Sequence, residues 1–93
     1  MLIVCYILQR DGLQAAVLAG FKELLENNGL SSGKSSRAMR AVSECVAVLE
    51  DHYAFNAGYG SVVNTDGFVE MDAAVMEGKT LNFGGVLAIG EAF

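Results

Sequence analysis

Phe55-Asn56-Ala57-Gly58-Tyr59-Gly60-Ser61, running on through Val62-Val63-Asn64-Thr65-Asp66-Gly67 into Phe68-Val69-Glu70-Met71-Asp72-Ala73, is the stretch on which the rest of the chain turns. Upstream of it the patterns are mainly helical, and downstream they are those of strands. Gly58 and Gly60 allow a tight, positive-φ entry to a strand, which a side chain at either position would hinder. Such a geometry holds backbone close to something else.

Working downstream, the apolar period changes to 2, and three strands are expected at about 60–64, 68–76 and 80–89. Asn64-Thr65-Asp66-Gly67 reads as a hairpin turn with glycine where a left-handed residue is wanted, and Glu77-Gly78 is assigned the same service for the next connection. In the middle strand Val69, Met71, Ala73 and Val75 face one way, with Phe68, Glu70, Asp72 and Ala74 on the other. The third run, Leu81-Asn82-Phe83-Gly84-Gly85-Val86-Leu87-Ala88-Ile89, is apolar or small on both faces, as in a sheet covered on both sides.

Upstream, Leu2-Ile3-Val4-Cys5-Tyr6-Ile7-Leu8 is a continuous apolar run that reads as a buried strand, with Asp11-Gly12 as the turn after it. Leu13, Ala16, Val17, Phe21, Leu24 and Leu25 follow helical spacing and predict a helix over about 12–27, ended by Asn28-Gly29. The small, polar segment from Leu30 to Ser36 is a loop offering serine caps to a second helix at about 36–50. That helix carries the apolar stripe Ala38, Ala41, Val42, Cys45, Val46 and Leu49, suited to packing closely on a sheet, with Arg37, Arg40, Ser43, Glu44 and Glu50 outward.

At 93 residues, 53% of them hydrophobic, with no proline and only two cysteines, the chain is one globular domain or part of one, and its core is limited. Cys5 and Cys45 sit among apolar neighbours and read as reduced core thiols of a cytoplasmic protein. A net charge of -5 with six scattered Lys and Arg excludes a nucleic-acid face. The opening run is too short to span a bilayer and lacks the features of a signal peptide, so no membrane partner is expected.

Local motifs yield no catalytic constellation. Gly78-Lys79-Thr80 resembles the end of a phosphate loop, but Ala73 stands where its first glycine belongs, and Val63 replaces the third glycine of a dinucleotide fingerprint starting at Gly58. Val62 and Ala73 occupy the first and twelfth positions of any calcium loop built on Asn64 and Asp66. Glu70 and Asp72, on one strand face, could serve as an acid and base or simply meet solvent. His52, the single histidine, has no partner visible in sequence and reads as a loop residue.

The likeness of the central stretch to a known family says more. Leu49-Glu50-Asp51, the segment from Phe55 to Gly67, Val69-Glu70-Met71-Asp72-Ala73 and Met76-Glu77-Gly78-Lys79 closely resemble the plant-type L-asparaginase and isoaspartyl peptidase family, ungapped over residues 41–80. Leu81-Asn82-Phe83-Gly84 looks more like the threonine aspartase branch of the same superfamily of N-terminal nucleophile hydrolases. The resemblance implies an αββα sandwich whose precursor cuts itself before a threonine; the new threonine then attacks a side-chain amide or isoaspartyl bond. It implies a sodium-binding loop on the backbone carbonyls of Leu49, Glu50, His52, Phe55, Ala57 and Tyr59, and no other cofactor. Asn56 corresponds to the family's asparagine beside the nucleophile, with a buried structural Asn as the alternative.

Two departures stand out. Tyr6-Ile7-Leu8-Gln9-Arg10 occupies the place where relatives end their first strand in His-Gly-Gly-Ala-Gly, and Arg40 stands where they tend to carry aspartate. The family's Gly-Thr-Val-Gly-Ala segment, with the nucleophile, does not occur in the sequence. Residues 1–93 are therefore expected to be the N-terminal, α-chain portion of an asparaginase-like domain, completed by a β-chain portion. The expected substrates are L-asparagine or an isoaspartyl dipeptide, and the expected assembly is a homo-oligomer of αβ units. The rival expectation is a shortened, noncatalytic relative that binds or regulates a full-length enzyme.

Overall fold

The structure, a computed structural model, describes residues 2–26 and 36–90, and residues 2–7 by their backbone alone. Its elements are α1 (Leu2–Leu25), α2 (Arg37–Glu50), a single 3-10 turn (Gly58–Gly60), and an antiparallel hairpin of β1 (Met71–Met76) and β2 (Phe83–Ile89). The expected helix stop at Asn28-Gly29, most of the serine loop and the surroundings of Cys5 lie outside the described residues.

The opening run is helical rather than extended, and Asp11-Gly12 continues the helix instead of turning it. A buried strand requires a neighbour on at least one edge, and β1 pairs with β2 alone in the sheet described. Helix satisfies each backbone N–H and C=O within the run itself, so an apolar segment without strand partners adopts it.

The helices pack antiparallel: along α1, residues 12, 20 and 23 meet residues 52–55, 41–45 and 40 in turn. The buried face of α1 is Gly12, Ala16 and Gly20, one residue per helical turn, while Leu13, Val17 and Phe21 of the expected stripe are more than half exposed. The cause is close approach. A Cβ at Gly20 would overlap Cys45 Sγ and lie 3.0 Å from the Ala41 carbonyl oxygen, so only a helix without a side chain there seats on α2 at this distance. Ala41 and Cys45 of the α2 stripe thus face α1 and not a sheet, while Ala38 is exposed; Ala16 and Ala41 are the buried apolar side chains of the described core.

Helix α2 begins where its cap says it should. Ser36 Oγ accepts the Met39 N–H at 3.2 Å with extended backbone at Ser36, satisfying one orphan donor of the first turn. Arg40 reaches across to Glu23, Nε to Oε2 3.5 Å, a partly exposed pair worth at most about 1 kcal/mol. The cation at position 40 is therefore matched by a carboxylate on the neighbouring helix.

Downstream, residues 61–64 are not a strand. The chain leaves the 3-10 turn extended at Ser61 and reaches the Asn64 turn without a ladder partner. The turn has the expected local chemistry, with Gly67 at φ +84° and Asn64 Oδ1 accepting the N–H groups of Asp66 and Phe68, both at 3.0 Å, but it joins no two strands, since β1 starts only at Met71. The next one differs. In the β1–β2 connection the Glu77 N–H meets the Asn82 carbonyl at 2.8 Å and the Leu81 N–H meets that of Glu77 at 2.7 Å. It is Leu81 and not Gly78 that adopts the left-handed conformation, φ +58°. The hairpin closes by returning the Leu81 N–H to Glu77 around residues 78–80, and the left-handed residue falls three positions beyond the glycine.

β2 is exposed along its whole length, so neither of its faces is covered as its composition suggested. Between Met71 and Ala73 the register shifts: Met71 pairs with Ile89 but Ala73 with Val86, leaving Leu87 and Ala88 opposite Asp72. Ala88, at φ +51°, takes the left-handed position of this bulge, and Asp72 Oδ1 accepts its N–H at 2.9 Å.

Leu81 offers a test of this geometry. A left-handed non-glycine residue costs about 1–2 kcal/mol, and the Leu81 side chain is 70% exposed, so little burial is lost on removing it. Leu81→Gly is expected to raise stability by about 1 kcal/mol, read as a higher urea midpoint at unchanged m-value. A lower midpoint would contradict the left-handed assignment.

Candidate functional site

Helix α2 ends at Glu50 because its successors bend away: the Asp51 N–H still bonds Ala47 O at 3.0 Å, but His52 N–H reaches only to Leu49 O at 3.2 Å. Phe55 N–H then bonds His52 O at 3.3 Å, Gly60 N–H bonds Ala57 O at 3.2 Å and Ser61 N–H bonds Gly58 O at 3.1 Å. Residues 51–61 form a succession of tight reversals instead of a continued helix.

Two glycines let this loop coil on itself. Gly58, at φ +54°, is buried against the end of α2, where an added Cβ would lie 2.5 Å from the Glu50 carbonyl oxygen. A Cβ at Gly60 would overlap the Phe55 carbonyl oxygen and lie 2.7 Å from that of Tyr53. The neighbours are backbone atoms, which a rotamer change cannot move aside. Gly58 and Gly60 are thus required by close approach, but only Gly58 has positive φ, and they lead into a 3-10 turn and an extended segment where a strand was expected.

Aromatic side chains fix the loop to α1. His52 stacks on Tyr53, with centroids 4.9 Å apart, and meets the edge of Phe55 at 5.4 Å. Its Nδ1 accepts the Ala54 N–H at 3.2 Å, which assigns the ring proton of the neutral form to Nε2. A side chain on Gly12 would lie 2.5 Å from Phe55 Cε2 and 3.1 Å from His52 Cδ2, and Gln9 Nε2 donates to Ala54 O at 3.5 Å. His52 is therefore a packing residue of the loop. The service of Gly12 as its seat was invisible in sequence, where Asp11-Gly12 carries an ordinary turn signal.

Asn56 is exposed, unlike the buried structural Asn that was the alternative for it. Its Oδ1 accepts the Val62 N–H at 2.9 Å, closing the chain around the 3-10 turn. A cavity of about 240 Å³ opens beside it, lined by Glu50, Asn56, Ala57, Gly58, Ser61, Val62, Glu70, Met71 and Asp72. Glu70 precedes β1, so the two carboxylates do not share a strand face in the expected sense, yet both border this cavity. The engagement of Asp72 with Ala88 could not be read from sequence, because it depends on the bulge.

For the six carbonyls singled out from the likeness, Leu49, His52 and Ala57 each already accept one backbone N–H, leaving a second lone pair on each oxygen. Among the described residues no three His, Cys, Asp or Glu side chains are grouped to hold a metal ion, and no helix is long and apolar enough to cross a membrane.

Comparison with known proteins gives this loop its context. A family model described as asparaginase matches residues 5–92. A plant-type L-asparaginase of Pyrococcus abyssi is 52% identical over 79 residues, covering 85% of this chain and 23% of the relative. An isoaspartyl peptidase/L-asparaginase of Xenopus laevis is 50% identical over 80 residues, 86% of this chain and 23% of the relative. One of Macaca fascicularis is 58% identical over 79 residues, again 85% of this chain and 23% of the relative. The chain spans about a quarter of the length of these relatives. With the match extending through both helices, the glycine loop and the hairpin, the chain belongs to the asparaginase family.

Proposed function

We propose that these residues form the N-terminal, α-chain portion of an amidohydrolase that cleaves L-asparagine and isoaspartyl peptides, of the αββα-sandwich type. The observation that carries the reading is the family match over residues 5–92 with Asn56 standing beside an open cavity. In this reading a threonine outside these residues, freed at a new N-terminus by self-cleavage, is the nucleophile. Its α-amine, of reference pKa about 8, takes the proton of its own hydroxyl near neutral pH. Asn56 Oδ1 accepts Val62 N–H, which fixes the side chain, and in this reading the amide NH₂ donates to an oxygen of the substrate or of the tetrahedral intermediate.

The donor set at the start of the loop suits a hard monovalent cation. The carbonyl oxygens of Leu49 and Glu50 close α2, those of His52, Phe55, Ala57 and Tyr59 lie on the reversals that follow, and Gly58 and Gly60 keep any Cβ off the Glu50 and Phe55 carbonyls. We assign a structural sodium ion to them; bound there, it would brace the loop that carries Asn56. Pairing with a β-chain portion, assembly of αβ units into a homo-oligomer and a cytoplasmic setting belong to the same proposal.

One feature favours a second reading, a noncatalytic relative that binds a full-length enzyme: α1 starts at Leu2, where the family likeness implies a strand. A single experiment separates the two. The matching stretch of the Pyrococcus abyssi relative is replaced by residues 5–92, and ammonia release from L-asparagine is measured. The amidohydrolase reading expects turnover, with Asn56→Ala lowering kcat/KM by about 10²-fold. A folded, inactive chimera favours the noncatalytic reading, and an active chimera indifferent to Asn56→Ala removes Asn56 from the site.

A further inference from the structure

The Ser36 hydroxyl serves two elements at once. Its oxygen accepts the Met39 N–H at the start of α2, and its proton is donated to Glu77 Oε2 at 3.0 Å, in the segment that joins β1 to β2. The two tasks use different halves of the group: a lone pair for the helix, the O–H bond for the hairpin. Apolar packing near this contact is loose, since a cavity of about 520 Å³ is lined by Met39 of α2 together with Val75, Phe83 and Gly84 of the hairpin. Both strands are exposed along nearly their whole length. A two-stranded hairpin with so little cover depends on whatever fastens it to its neighbours.

We infer that Ser36 and Glu77 form a latch that fastens the β1–β2 hairpin to α2, and that this fastening is separable from the capping of α2. Because the hairpin carries Asp72 to the cavity lined by Asn56, the latch also sets what faces Asn56. The latch stands on the two hydrogen bonds; only this last consequence rests on the proposed function.

Substitutions distinguish the two tasks. Aspartate at position 36 keeps an acceptor for Met39 N–H, and aspartate is as good an N-cap as serine. It has no proton to give, however, and its charge repels Glu77. Lysine at position 77 restores the attraction, and Glu77→Ala releases the hairpin without touching the cap.

The test is amide hydrogen exchange of the dilute 93-residue chain, read by mass spectrometry on peptides covering residues 37–50 and 71–89. Ser36→Asp is expected to speed exchange in the hairpin about tenfold while leaving α2 as slow as in the wild type, as fits loss of a hydrogen bond to a charged group. Adding Glu77→Lys to Ser36→Asp should return the hairpin to its original rate. Glu77→Ala should match Ser36→Asp in the hairpin; if Ser36→Asp does not fold, this variant decides alone. Hairpin rates unchanged in Glu77→Ala, hairpin and α2 opening together, or a wild-type hairpin exchanging as fast as unstructured peptide would each overturn the latch. Failure of the amidohydrolase reading would leave these rates untouched.

Discussion

Gly60→Val is expected to abolish the folded loop and lower the stability of the chain by about 3 kcal/mol or more, among the largest effects a single substitution produces. The added Cβ overlaps the Phe55 carbonyl oxygen and crowds that of Tyr53, both held by the same coil of backbone. Relief requires the loop to uncoil, which separates Asn56 Oδ1 from Val62 N–H and the His52 ring from its seat at Gly12. With Ala16 and Ala41 as its buried apolar side chains, the described core has little with which to absorb such a loss. A domain of this size shifts its midpoint by about 4–8 °C per kcal/mol, so the variant should be largely unfolded where the wild type is folded. Gly84→Ala is the control: no atom lies within 4 Å of its Cβ position, and the same calorimetric scan should move by less than the equivalent of about 0.5 kcal/mol. Equal midpoints for Gly60→Val and the wild type would refute the coiled loop.

The contrast between those two glycines shows which features were legible in the sequence. Gly58 and Gly60 stand in a stretch whose residues before and after change period, so a tight backbone there could be read directly, and Ser36 with the stripe of α2 placed that helix to within a residue of Arg37–Glu50. Asn64 and Gly67 announced their turn because an Asx side chain and a left-handed glycine act locally. Long-range geometry was not legible. Gly12 looked like a turn and nothing singled out Gly20, yet both belong to the contact face of α1, since what they touch lies some 20 to 40 residues away.

The opening run and residues 61–64 failed for another reason. Both have the composition of strands, and β-propensity expresses itself only where a partner edge is present. β1 and β2 supply edges to one another and to no other described segment. Of the site, Asn56 and the carbonyl loop came from the family likeness; the cavity that joins them to Glu70 and Asp72 arises from the fold and carries no mark in sequence.

The second large effect concerns activity. In the proposed mechanism the nucleophile is a threonine at a newly exposed N-terminus, and the threonines here are Thr65 and Thr80, each within a turn. Neither stands in a Gly-Thr-Val-Gly setting, and no other threonine occurs in the sequence. Losing an activated nucleophile removes several orders of magnitude of rate, on the scale of about 10⁴–10⁶-fold in serine proteases, and the remaining binding groups do not make it up. Ammonia release from L-asparagine by the purified 93 residues therefore tests the central claim most directly, measured first alone and then after adding the separately produced remainder of the Pyrococcus abyssi relative. Background release is expected from the chain alone and turnover from the mixture; turnover by the 93 residues alone, or a mixture that assembles and stays inert, would overturn the assignment.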